Sequence, residues 1–120
     1  MNIQIYFCKK NPDVLKAERF FKERRITFQS VDLKKHAPGA KELELFARAA
    51  RGAYNLVDRT STSALSHPVA HTQDEALILE YLAQNPAFLR SPIVRNGKSC
   101  TIGAEEGTWA EWVKAGGQSK

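Results

Sequence analysis

The 120 residues suffice for one compact domain with its own core, and 42% hydrophobic against 26% charged residues is the balance of a soluble globular chain. The net charge is +5, but the basic residues are dispersed and acidic residues interrupt them, which is not a nucleic-acid footprint. No apolar run reaches the roughly 20 residues of a membrane span, and the first residues lack the apolar stretch of a secretion signal, so the expected compartment is the cytoplasm.

Ile3, Ile5 and Phe7 alternate with Asn2, Gln4 and Tyr6, which predicts a strand over residues 2–7. Asn11-Pro12-Asp13 is a helix start: asparagine suits the cap, proline the first helical position and aspartate the first turn. That helix is expected to run to about Arg25, burying Val14, Ala17, Phe20 and Phe21. A second strand is predicted from Thr27 to Leu33. His36-Ala37-Pro38-Gly39 then breaks the chain before a helix over 40–51 that buries Leu43, Phe46, Ala47 and Ala50 and ends at Gly52.

Residues 53–72 read as loop. His67 and His71 have the i, i+4 spacing of a metal pair, but Pro68 breaks a helix there and no further ligand is near, so both read as solvated loop histidines and no metal is expected. A helix from Asp74 to Gln84, capped by Thr72, packs Leu77, Ile78, Tyr81 and Leu82. Residues 88–95 read as a third strand, Asn96-Gly97 as a tight hairpin turn and Lys98–Ile102 as a fourth strand. Gly103 breaks that strand. A closing helix over 105–115 turns Trp109, Trp112 and Val113 inward, and Gly116–Lys120 reads as a frayed tail.

The element order predicts a single α/β domain over residues 1–120. Its mixed four-stranded sheet has the strand at 2–7 in the centre, the strand at 27–33 parallel beside it, and Pro92-Ile93-Val94 on its other side. This is a thioredoxin-like, glutaredoxin-like fold with an extra helical segment in the middle. In such a unit ligands meet the carboxyl end of the first strand and the start of the first helix, here Cys8 to Val14. Neither Cys8 nor Cys100 belongs to a C-x-x-C pair, which excludes a local dithiol motif, and a disulfide between them is not expected in the cytosol. Cys8 has two readings, a small apolar core residue or a displaced nucleophile. Lys9 and Lys10 flank the expected site.

Two stretches resemble the arsenate-reductase-like ArsC/Spx family. One is Ile5-Tyr6 followed by Lys16-Ala17-Glu18-Arg19-Phe20-Phe21. The other is Ser91-Pro92-Ile93-Val94-Arg95-Asn96-Gly97-Lys98 followed by Thr101-Ile102-Gly103, Trp109 and Trp112. The resemblance covers roughly residues 2–58 and 88–114; the stretch from Thr60 to Ala87 departs from it. It implies that the family's catalytic cysteine falls on Asn11, and the second cysteine of its dithiol variants on Val14. It further implies that Arg59 and Arg90 are oxyanion-binding arginines, with Ser91 inserted between Arg90 and the proline, and that Pro92 is cis. No third arginine is matched, because Ala104-Glu105-Glu106 stands in its place.

By this resemblance the implied activity is glutathione- and glutaredoxin-dependent arsenate reduction. An amide at position 11 cannot perform its thiolate step, so that step is expected to be weakened or lost. An oxyanion or glutathione is the implied ligand, with no resident cofactor, and glutaredoxin or another protein the implied partner. Two alternatives stand beside this reading: an Spx-like module that binds a protein partner, and a thiol oxidoreductase using Cys8.

Overall fold

The computed structural model of the chain describes residues 1–117. Strand β1 (Ile3–Phe7) is followed by α1 (Pro12–Glu23) and β2 (Phe28–Asp32). Then come α2 (Ala40–Ala50), the short α3 (Thr62–Leu65) and α4 (Glu75–Gln84). The hairpin of β3 (Ile93–Asn96) and β4 (Ser99–Ile102) precedes α5 (Glu106–Gly117). Gly116 and Gly117 thus continue the last helix, and the rest of the expected frayed tail, residues 118–120, lies outside the described residues.

The sheet order is β2-β1-β3-β4, with β1 parallel to β2 and antiparallel to β3, as the sequence predicts. Helices cover both faces. Ile3 and Ile5 pack with Val14, Ala17, Phe20 and Phe21 of α1, and with Val94 and Trp109. On the other face Tyr6, Cys8 and Ile93 meet Leu43 and Phe46 of α2 and Ile78 and Leu82 of α4. Tyr6, assigned by alternation to the polar face, is therefore 3% exposed. A central strand between two helical layers buries both sets of side chains. Its hydroxyl reaches the surface, donating to Glu42 Oε2 at 3.0 Å. Trp109 is fully buried and its indole N–H donates to Thr101 Oγ1 at 2.8 Å, whereas Trp112 and Val113 are only partly buried.

Several boundaries differ from the sequence reading. α1 stops at Glu23 because Arg25 takes a left-handed φ of 58°, which lets Ile26 N–H reach back to Phe21 O at 2.9 Å. The predicted strand over 88–95 shrinks to Ile93–Asn96: Pro86 opens a 3-10 turn at 86–88, and the Ser91–Pro92 peptide is cis, as the resemblance implies. The hairpin loop is Gly97-Lys98 rather than Asn96-Gly97, since Asn96 still pairs with Ser99. Only Gly97 has positive φ, at 62°, as a turn with glycine at its first central position requires.

The cap of α4 is Asp74, whose Oδ1 accepts from Leu77 N–H at 3.2 Å; Thr72 Oγ1 instead accepts from Asp74 N–H. Residues 53–72 are not plain loop but contain α3 and two 3-10 turns, with Ala53, Leu56, Ala64 and Val69 completely buried. His67 is half-buried, its ring wedged against Tyr81 and Phe88, with Nδ1 accepting from Val69 N–H at 3.0 Å. It is a packed capping residue, whereas His71 is exposed. Among the described residues no helix is long and apolar enough to cross a membrane.

Candidate functional site

The carboxyl end of β1 and the start of α1 meet two other segments. Val57 forms an isolated antiparallel bridge with Leu89, flanked by Asp58 N–H to Phe88 O and Arg90 N–H to Leu56 O, both at 2.8 Å. Residues 57–60 and 86–91 thereby wall a groove in front of α1. The groove consists of three adjoining hollows. One, about 190 Å³, is lined by Cys8, Lys9, Asn11, Asp58 and Ser91 among others. A second, about 200 Å³, joins Asn11, Asp13, Asp58, Thr60 and Arg90. A third, about 370 Å³, lies between Tyr54, Asp58, Arg59 and Arg90. The larger hollow between α2 and α4, lined by Arg48, Arg51 and Glu75 among others, contains none of the candidate site residues.

Asn11 is the N-cap of α1. Its Oδ1 accepts from Val14 N–H at 2.8 Å, and its Nδ2 donates to Ser91 O at 2.9 Å. The carbonyl it reaches is that of the cis Ser91–Pro92 peptide. A helix start offers amide donors to an anion, but here Pro12 has no N–H and Asn11 itself occupies Val14 N–H. Among the described residues Asp13 N–H is then the remaining first-turn amide, on a residue that carries a carboxylate.

Cys8 lies at the floor of the first hollow and is 5% exposed. Its thiol donates to Pro86 O at 2.7 Å, and its backbone N–H donates to Ser91 Oγ at 2.9 Å. Burial pushes the thiol up to about 11, against a smaller lowering by its hydrogen bond with Ser91. The thiolate required of a nucleophile is therefore scarce near neutral pH. Cys100 is farther from any such role: it lies on β4, and burial pushes its thiol up to about 12.

Arg59 and Arg90 line the same hollow, and Arg90 also lines the neighbouring one together with Asn11. The Arg59 guanidinium lies 3.7 Å over the Tyr54 ring and donates to Ala70 O and Tyr54 O, each at 3.1 Å. Arg90 is exposed, with a single long bond, 3.3 Å, from Nη1 to Asn55 O. Lys9 is exposed at the rim, whereas Lys10 pairs with Glu18 at 2.9 Å. Pro92 is buried behind Ser91.

Asp58 and Thr60 are the residues the sequence reading missed. They line all three hollows, and Asp58 Oδ1 accepts from both Thr60 N–H (3.0 Å) and Thr60 Oγ1 (2.6 Å). The Asp-Arg-Thr order is a signal for this side-chain turn. No group of histidine, cysteine and carboxylate side chains suited to a metal occurs among the described residues.

No protein-family model matches the chain, and no curated protein matches it in sequence. Solved structures do match in shape. An arsenate reductase from Vibrio cholerae superposes with a TM-score of 0.79 at 15% identity, over 92% of this chain and 97% of that one. An arsenate reductase (ArsC) related protein from Brucella melitensis gives 0.68 at 22% identity, over 95% and 96%. Identities this low establish architecture rather than activity, and the architecture is the thioredoxin-like fold shared with the solved arsenate reductase-like structures.

Proposed function

We propose that this chain is an arsenate-reductase-like ArsC protein in which the thiol step at the start of α1 has been lost, while the groove in front of it persists as a small-ligand site. The observation that carries the reading is Asn11. The position that resemblance assigns to the nucleophile holds a carboxamide with both ends committed, one to the helix amide and one to Ser91 O. It supplies neither a thiolate nor a free amide cradle. The whole-chain likeness to structures described as arsenate reductases supports the descent, and the cytoplasm remains the compartment inferred.

The test is an arsenate reduction assay with glutathione and glutaredoxin. The unmodified chain is expected to give no turnover above the protein-free background. Asn11→Cys is expected to gain a thiol that alkylates rapidly near neutral pH, since a helix start lowers a thiol's pKa. Reduction by the unmodified chain that disappears in Cys8→Ser would overturn the reading and make Cys8 the nucleophile.

A further inference from the structure

The sheet gathers cations that the sequence spaces over most of the chain. Ile3 of β1 pairs with Phe28 of β2 on one side and with Asn96 of β3 on the other. Arg24 and Arg25 lead into β2, and Gly97-Lys98 is the loop that leaves β3, so both segments lie at the amino end of β1, away from the groove. α1 carries Lys22 in its last turn and stops just before Arg24. α5 carries Lys114 in its last turn, and a Cβ on Gly116 would stand 3.0 Å from Met1 Cε, which sets that turn beside the start of the chain. Lys22, Arg24, Arg25, Lys98 and Lys114 therefore share one end of the molecule, and all five are exposed.

The salt bridges among the described residues are Lys10–Glu18, Lys16–Glu106 and Arg95–Glu42, and none uses these cations. On the same segments the carboxylates are Glu23, at the end of α1, and Glu111, three residues before Lys114. Arg25 stands at φ 58°, a conformation that glycine adopts freely and arginine adopts at a cost. Its side chain makes no hydrogen bond or ion pair among the described residues. An arginine kept where glycine suits the backbone points to a use for its charge.

This end offers little besides charge. Of the large exposed hydrophobic residues, Leu15 lies in the first turn of α1, Tyr54 lines the groove and Leu65 is in α3, which leaves Met1 here, 41% exposed. A lipid surface or a protein interface requires an apolar anchor, whereas phosphate contacts require only cations.

We propose that this end binds the phosphate backbone of a nucleic-acid duplex without reading its sequence, through Lys22, Arg24, Arg25, Lys98 and Lys114. The charge that reads as dispersed along the chain is collected by the fold. The surface is separate from the groove, so the inference stands or falls independently of the proposed function.

The test is fluorescence anisotropy of two short labelled DNA duplexes of unrelated sequence, titrated with the full chain over a series of salt concentrations. The two duplexes should bind equally. Five phosphate contacts give a log–log salt slope of about −4.5, which is about a 500-fold loss of affinity from about 50 to 200 mM salt. Lys22→Gln, Lys98→Gln and Lys114→Gln should each flatten the slope by about 1. Arg25→Gly should flatten it equally while raising the urea midpoint, which separates lost binding from lost folding. Lys34→Gln and Lys35→Gln, beyond the carboxyl end of β2, should leave the slope unchanged. A parent slope shallower than about −2, or equal flattening by the Lys34 and Lys35 variants, would overturn the assignment to this end. Competition by oligoglutamate or by phosphatidylserine vesicles as strong as that of unlabelled duplex, at equal charge, would overturn the nucleic-acid reading. So would the absence of duplex binding at about 50 mM salt.

Discussion

Replacing Asn11 by alanine removes two hydrogen bonds that tie three segments together. Loss of an N-cap costs about 1 kcal/mol, with a range of about 0.5–2. Ser91 O, deprived of Nδ2, adds a further loss of about 1 kcal/mol. The expected total is about 2 kcal/mol, which at about 4 °C per kcal/mol for a domain of this size lowers Tm by about 8 °C. Asn11→Ser separates the two contributions: its hydroxyl can still accept from Val14 N–H but does not reach Ser91 O, so it should recover about half of the loss. Urea unfolding followed by circular dichroism measures both, and an unchanged m-value confirms that the same surface is exposed. An alanine variant within about 0.5 kcal/mol of the parent would refute the assignment of Asn11 as the bridge between α1 and the Ser91 segment. Equal losses for serine and alanine would refute the partition between cap and bridge.

Two further outcomes follow from the geometry. Both thiols are raised, Cys8 to about 11 and Cys100 to about 12, chiefly by burial, so iodoacetamide should label neither quickly at pH 7 in the folded chain. Above the ordinary thiol value of 9.0 the unfolded chain ionises while the folded one holds its protons, so stability should decline as pH climbs from 9 toward 11; rapid labelling of Cys8 at pH 7 would contradict the burial argument. Arg25→Gly should stabilise by about 0.5 kcal/mol, because relief of a left-handed conformation worth about 1–2 kcal/mol exceeds glycine's entropic cost of about 0.5–1 kcal/mol. A fall in urea midpoint would show that the Arg25 side chain contributes more than its backbone costs.

The architecture was legible because its signals are local. Alternation marked β1, Asn11-Pro12-Asp13 marked α1, and a helix between two apolar strands required a parallel crossover. What the sequence concealed depends on distant partners. Tyr6 reads as polar until both faces of β1 acquire helices, and His67 reads as solvated until Tyr81 and Phe88 close over it. Strand β3 reads too long because Leu89, buried but committed to Val57, mimics a strand residue. Resemblance singled out Asn11, Arg59 and Arg90, and all three line the groove. Asp58 and Thr60 were missed because their importance comes from the Val57–Leu89 bridge, a contact 32 residues apart in the chain, not from any motif.

That bridge also separates evolution of the chain's middle from the geometry of its groove. Leu56–Asp58 is stitched to Phe88–Arg90 on both sides of a single pairing, so the excursion between them is a closed loop anchored at its neck. Loops closed at the neck tolerate changes of length at modest entropic cost. Insertions or deletions between Thr60 and His71 can therefore accumulate without moving Asp58 or Arg90, provided Ala64 and Val69 keep their places in the core. All of residues 60–87 lie within this neck-anchored excursion, whose surface can be rewritten while the walls of the groove stay in register.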